Sequence, residues 1–177
     1  WDQRPAVLKD GRILNLFWTY DYAESRYLNI QARESRDNGK TWSEIWDTGV
    51  PGQPARPVSL PDGRVVMVYV DRFGVPSIKM RISSDDGRTF PAETESTMYR
   101  INGSIQKKEE GSIQNAWAEM EKFSIGLPIT ALLHNGDILV LFYAGSETDK
   151  TDVRWVRVKI EKGRYGTGRK NNKCCKT

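Results

Sequence analysis

The feature that most constrains this chain is an octapeptide that occurs twice, Ser35 to Trp42 and Ser83 to Phe90, in the pattern Ser-x-Asp-x-Gly-x-Thr-aromatic. Ser35 and Ser83 are 48 positions apart. That spacing lies within the roughly 40–50-residue periods of architectures assembled from small repeated sheets. An alternating run precedes each copy, Leu28 to Arg33 in the first and Ser77 to Ile82 in the second, which places the octapeptide on the turn after a strand. Asp37 and Asp85 are suited to accept hydrogen bonds from turn amides, and Gly39 and Gly87 supply positive φ. The hydroxyls of Ser35, Thr41, Ser83 and Thr89 close the loop, and Trp42 and Phe90 are expected to pack inward. Every position has a structural use, so the aspartates read as turn builders rather than metal ligands or catalytic acids.

Using the repeat as a ruler divides the chain. Residues 1–50 read as a four-stranded unit: a strand from Arg4 to Leu8, the turn Asp10-Gly11, a strand from Ile13 to Tyr20, a third from Leu28 to Arg33 and a fourth near Ser43 to Trp46. Residues 51–100 repeat it with Arg56 to Leu60, Asp62-Gly63, Val65 to Val70, Ile78 to Ile82 and a fourth strand between Glu93 and Arg100. Residues 101–126 break the period with a polar stretch in which Gly103 to Gln106 returns as Gly111 to Gln114. They are expected to form a projecting insertion, within which Ala116 to Phe123 suits a short helix or a strand equally. Residues 127–165 resume the pattern with Leu127 to Leu133, Asn135-Gly136, Ile138 to Tyr143 and Val153 to Ile160, but the octapeptide has decayed to Glu161 to Tyr165. Residues 166–177 read as a basic disordered tail.

Composition narrows the function classes. With 177 residues, a net charge of +4 and 38% hydrophobic residues, the chain suits a soluble globular protein with enough material for a core. Its six Trp and seven Tyr suit strands and sugar stacking alike. No run approaches the roughly 18 apolar residues of a membrane span, and no signal peptide is visible. The chain begins at Trp1 rather than Met, so its natural start is expected to lie further upstream. Lys and Arg are dispersed among acidic residues outside the tail, which argues against nucleic acid as a partner. The cysteines, Cys174 and Cys175, are adjacent and give no disulfide framework. One histidine, His134, and no Cys/His cluster argue against a metal site, and no cofactor is implied.

The octapeptide resembles the Asp-box, or bacterial neuraminidase repeat, of the sialidase superfamily. That resemblance covers most of residues 1–165 and implies an all-β fold of β-propeller blades, each a four-stranded antiparallel sheet. It yields two full blades and an unfinished third, an incomplete ring of about three, whereas propellers close with roughly four to eight. Completion is expected from a longer chain or from a second copy. The resemblance also implies a glycoside hydrolase that recognises a sugar at the mouth of the ring. A non-catalytic propeller binding glycans or proteins, and a fragment without activity, are the alternatives.

In that family an Arg-Ile-Pro motif opens an early blade, and its arginine grips the substrate carboxylate. Arg4-Pro5 and Arg56-Pro57 resemble the motif but lack the intervening Ile, and Leu127 stands where a third arginine is looked for. Arg72, just past the second strand of its unit, is a further candidate. An arginine fork matches a carboxylate bidentately, although pairing with a neighbouring blade's carboxylate is the structural alternative. Asp21 and Asp71 lie at strand ends comparable to the family's acid/base position, where turn formation is the competing role. Sialidases use Tyr as nucleophile. Tyr143 is the candidate carried forward from Tyr20, Tyr22, Tyr69 and Tyr143, with Glu119 or Glu121 as partner base.

Overall fold

The computed structural model describes residues 2–101 and 122–161. The first antiparallel sheet contains β1 (Asp2–Val7), β2 (Ile13–Trp18), β5 (Gln31–Ser35) and β6 (Trp46–Asp47), in that order. A small hairpin of β3 (Tyr20–Asp21) and β4 (Arg26–Tyr27) stands on its end. In the second sheet β7 (Gln53–Pro54) and β8 (Val58–Ser59) both pair with β9 (Val65–Asp71), followed by β10 (Ser77–Ser83) and β11 (Ser96–Arg100). The third is a meander of β12 (Ile125–Leu132), β13 (Ile138–Glu147) and β14 (Lys150–Val158). Among the described residues no helix is long and apolar enough to cross a membrane, and the only helical element is a 3-10 turn at Ala92–Thr94. The fold is all-β, built of consecutive propeller blades.

Several boundaries differ from the sequence expectation. The second strand of the first blade ends at Trp18 rather than Tyr20, because Tyr20 pairs with Tyr27 in the small hairpin. The third blade starts at Ile125, inside the span expected to be insertion, with a register shift between Gly126 and Ile129. Glu119, Glu121, most of the insertion and residues 162–177 with both cysteines lie outside the described residues.

One turn recurs in all three blades. Leu8 and Arg12, Leu60 and Arg64, and Leu133 and Asp137 exchange the same amide-to-carbonyl bond, at 2.7, 2.8 and 2.8 Å. These turns put the blades in register, so that Leu16, Val68 and Leu141 are equivalent, and so are Arg4, Arg56 and Ile129. Counted back from the turn, Ile129 rather than Leu127 takes the third arginine position: it lies opposite Leu141 as Arg4 lies opposite Leu16.

The core lies between blades. Leu14, Leu16, Ile30 and Ala32 of the first blade pack on Val65, Met67 and Tyr69 of the second. Val66, Val68, Val70, Ile78 and Met80 on the other face of the second pack on Ile138, Val140 and Phe142 of the third. The central strand β9 is therefore buried on both faces, which explains why Val65 to Val70 is continuously apolar. Polar ties cross the same seams. Gln53 Nε2 donates to Asp2 at 2.6 Å, Lys9 Nζ to the Pro61 carbonyl at 2.5 Å, and Arg64 Nη2 to the Glu161 carbonyl at 3.1 Å.

The two octapeptide turns have the same geometry. The Ser35 hydroxyl donates to Asp37 at 2.8 Å and accepts from the Gly39 amide at 2.8 Å, while Thr41 donates its amide and hydroxyl to Asp37 at 2.8 and 2.6 Å. Ser83, Asp85, Gly87 and Thr89 repeat these bonds at 2.7, 2.8, 2.9 and 2.7 Å. The aromatics diverge. Phe90 is buried against the first blade, but Trp42 is only half-buried, with Arg33 4.7 Å above its ring, because no blade covers that face.

A Cβ at Gly87 would come within 2.6 Å of the Leu14 side chain, and its φ is +84°. At Gly63, with φ +92°, a Cβ would meet nothing within 4 Å. Gly87→Ala is therefore expected to destabilise by about 2–4 kcal/mol and Gly63→Ala by about 1 kcal/mol in denaturant unfolding, since only the first adds a seam clash to the backbone strain.

Bonds from the Thr41 hydroxyl and amide, then from Ser35, lower the Asp37 pKa from 3.8 to about 2. A carboxyl whose pKa is depressed in the folded state stabilises fully above its unfolded pKa, and that contribution is lost as pH falls through the folded value. Between pH 3.8 and about 2 the wild type is expected to lose stability more steeply than Asp37→Asn. Parallel urea titrations check the difference in slope.

Candidate functional site

The octapeptide turns lie beside the start of β2, where Ser35 pairs with Ile13. At the opposite ends of the central strands a cleft of about 70 Å³ opens, lined by Trp18, Tyr27, Gly52, Arg72, Phe73 and Phe123 among others. Its aromatic wall is well ordered by packing. Trp18 stacks on Tyr27 with centroids 5.0 Å apart and planes 12° apart, and Tyr20 and Phe73 approach Tyr27 at 5.1 and 5.9 Å. Gly52 is required at the cleft floor, because with φ +99° a Cβ there would sit 2.2 Å from the Val70 carbonyl oxygen.

Arg72 is the chemical centre of this end. It leaves β9 on the face turned to the third blade and is only 5% exposed. Its Nε donates to the Ile125 carbonyl at 3.0 Å, its guanidinium lies 4.2 Å from the centre of the Phe123 ring, and the Tyr143 side chain stands beside it over Gly126. Burial pushes its pKa down from the ordinary value, which Tyr143, Tyr27 and Asp2 oppose. Among the described residues no carboxylate forms an ion pair with it. The other well-buried arginine, Arg12, has Glu34 and Asp10 at 2.5 and 2.6 Å.

Gly126 makes this arrangement possible. A Cβ there would lie 2.2 Å from Arg72 Nη2 and 2.8 Å from the Tyr143 hydroxyl. The charge of Asp2 supports the Arg72 cation, but its carboxylate already accepts from Arg4 Nη2 at 2.7 Å and from Gln53 at 2.6 Å. Arg4 Nε is buried without a hydrogen-bond partner.

The remaining candidates are placed differently. Arg56 is exposed, level with Thr130, whose hydroxyl donates to the Arg56 carbonyl at 2.5 Å. Asp21 accepts the amides of Ala23 and Glu24 at 3.0 and 3.2 Å, closing the turn between β3 and β4. Asp71 takes Lys79 Nζ at 2.8 Å, within a network in which Glu95 accepts from Arg81 at 2.9 Å and from the Tyr69 hydroxyl. Tyr69 is fully buried, and burial, then Glu95, push its phenol well above its ordinary pKa. Arg72 and Tyr143 are thus brought together, Arg4 approaches through Asp2, and Arg56, Asp21 and Asp71 make their contacts elsewhere.

Sequence reasoning missed Asp2, Gln53, Phe123 and Gly126. The only available signal was Gly126 next to an apolar strand start, which marks a close approach without saying to what. Among the described residues no His, Cys, Asp and Glu gather as a metal-ligand set.

No protein-family model and no curated protein matches the chain. Solved structures do. A Dyadobacter fermentans protein of unknown function matches with a TM-score of 0.64 and 20% identity, over 90% of this chain and 38% of that one. An α-L-arabinanase from Penicillium chrysogenum gives 0.56 and 17%, over 88% of this chain and 45% of that one. An intramolecular trans-sialidase from Ruminococcus gnavus gives 0.50 and 16%, over 89% and 32%. These likenesses show a glycoside-hydrolase-like propeller fold, of which this chain spans less than half the length of each relative.

Gly126→Ala is expected to displace Arg72 or Tyr143 and to cost about 1–3 kcal/mol by overpacking, read as a lowered thermal midpoint.

Proposed function

We propose that the cleft recognises a sugar bearing a carboxylate, and that the chain is a sialidase-like glycoside hydrolase or part of one. The observation that carries this is Arg72, a guanidinium 5% exposed with no carboxylate ion pair among the described residues. Desolvating a charge costs several kcal/mol unless it is paired. A ligand carboxylate supplies the missing partner in the bidentate geometry that a guanidinium fork favours. The aromatic wall of Trp18, Tyr27 and Phe73 suits the apolar face of a pyranose.

The octapeptides read as Asp-box repeats, and the arabinanase and trans-sialidase likenesses support hydrolase chemistry on this scaffold. Tyr143 is the proposed nucleophile, since it shares the guanidinium that would hold the substrate. Asp21 or Asp71 would serve as the acid/base once released from its present contacts, with Glu119 as partner to the tyrosine. Arg4 would add positive potential through the position it shares with Asp2, and Arg56 would act at the rim.

A second reading, glycan binding without turnover, is favoured by the Lys79 ion pair of Asp71 and the turn bonds of Asp21, which commit both carboxylates to structure.

Calorimetric titration with free sialic acid, beside hydrolysis of a fluorogenic sialoside, tests both. Arg72→Met is expected to weaken binding by about 10–100-fold, the worth of a charged hydrogen-bond pair, with Arg56→Ala changing it less. Absence of binding by folded wild type, or unchanged binding by Arg72→Met, rejects the proposal. Binding without hydrolysis selects the second reading.

A further inference from the structure

The face that the first blade turns to the second does not stop where β2 ends. It carries Leu14, Leu16 and Trp18, then continues at the same two-residue spacing through Tyr20 and Tyr22 in the hairpin of β3 and β4. Leu14, Leu16, Trp18 and Tyr20 are all at most 8% exposed. Tyr22 is 64% exposed. An open ring therefore ends a face that is otherwise covered, at the end of the strands where the cleft lies.

The hairpin that presents this ring is an elaboration of the first blade. Residues 19–30 join β2 to β5, whereas residues 72–76 suffice to join β9 to β10. Its shape is fixed internally: Asp21 closes its turn, Leu28 donates its amide to the Thr19 carbonyl at 3.2 Å, and Tyr20 lies opposite Tyr27 across the two strands. Tyr22 meets Tyr20 edge to face with ring centres 5.8 Å apart, Tyr20 meets Tyr27 in the same way at 5.1 Å, and Tyr27 stacks on Trp18 in the cleft wall. Tyr22 thus stands two ring contacts from the cleft, on a support that is ordered before any ligand arrives.

The cleft itself is small. Its volume is about 70 Å³, while pockets that enclose a small molecule run to roughly 300–1,000 Å³. It admits a carboxylate with the atoms next to it and leaves the greater part of a sugar chain outside. The rings of its wall are also largely spent on one another, with Trp18 6% exposed and Tyr27 8%. The apolar face of a sugar beyond the cleft mouth needs another ring to lie on, and Tyr22 offers one. Tyrosine suits this place, because it combines an apolar face with a hydroxyl that tolerates water and has only two side-chain torsions to fix.

We propose that Tyr22 forms a second sugar subsite, so that the ligand of this end is an acidic oligosaccharide. Its carboxylate-bearing unit enters the cleft at Arg72, and a neutral unit that follows in the chain stacks on Tyr22. This inference rests on the carboxylate reading of the cleft and adds to it the length of the ligand.

Calorimetric titration of the 177-residue chain with two ligands tests it. One is the methyl α-thioglycoside of sialic acid, which carries no second sugar, and the other is thio-linked sialyllactose; both resist hydrolysis. The wild type is expected to bind the longer ligand about 3–10-fold more tightly, the worth of one aromatic contact. Tyr22→Ala is expected to remove that gain and Tyr22→Trp to keep it, each with an unchanged far-ultraviolet circular dichroism spectrum, since the ring is exposed. Arg72→Met is expected to weaken both ligands. Equal affinities in the wild type, or a gain that survives Tyr22→Ala, overturn the second subsite and leave the reading of the cleft standing. If neither ligand binds to folded wild type, that reading falls and the second subsite falls with it.

Discussion

Burial of one blade's face on the next is the constraint on which the rest of this structure depends. No sheet here has a core of its own: Leu14 and Leu16 are buried only because Met67 and Tyr69 cover them, and Val66, Val68 and Val70 only because Val140 and Phe142 do. Each such side chain contributes about 1.5–3 kcal/mol on burial. The surface ion pairs that accompany them, such as Lys150 with Glu147, contribute about 0–1 kcal/mol. Seam packing therefore decides the arrangement, and polar ties such as Gln53 to Asp2 adjust its register.

The octapeptide turns belong to this packing. Their internal bonds satisfy the turn amides locally, so the loop holds its shape without help from its neighbours. What they offer outward is a glycine surface at Gly87 on which Leu14 seats. They stand at the start of β2, and the cleft stands at its end, so stability and recognition occupy opposite ends of the same strands. The cleft end is where seam packing gives way to charge. Arg72 continues the alternation of β9 and enters the second seam at the place where an apolar residue would otherwise follow Val70, with Phe123 and Gly126 shaped around it.

Much of the architecture was legible in the residues. The 48-position repeat, the Asp10-Gly11, Asp62-Gly63 and Asn135-Gly136 turns and the alternating runs pointed to antiparallel strands joined by tight turns, because turn chemistry and strand periodicity are local. The third arginine position falls on Ile129 rather than Leu127, because Pro128 stands further from the turn glycine Gly136 than Pro5 does from Gly11 or Pro57 from Gly63. Trp42 and Phe90 are equivalent in sequence yet differ in burial, since one faces a neighbouring blade and the other does not.

By itself the sequence determined the repeat, the all-β blades, the turn bonds of Asp37 and Asp85 and the pool of candidate arginines, all of which rest on contacts within a few residues. Only the tertiary structure decided that Arg72 is a buried cation without an ion-pair partner among the described residues, that Tyr143 and Gly126 meet it, and that Asp71 is bound to Lys79. The physical reason is that burial and pairing arise where two blades meet, between residues some 50 positions apart such as Arg72 and Ile125, and no local pattern records which face is covered.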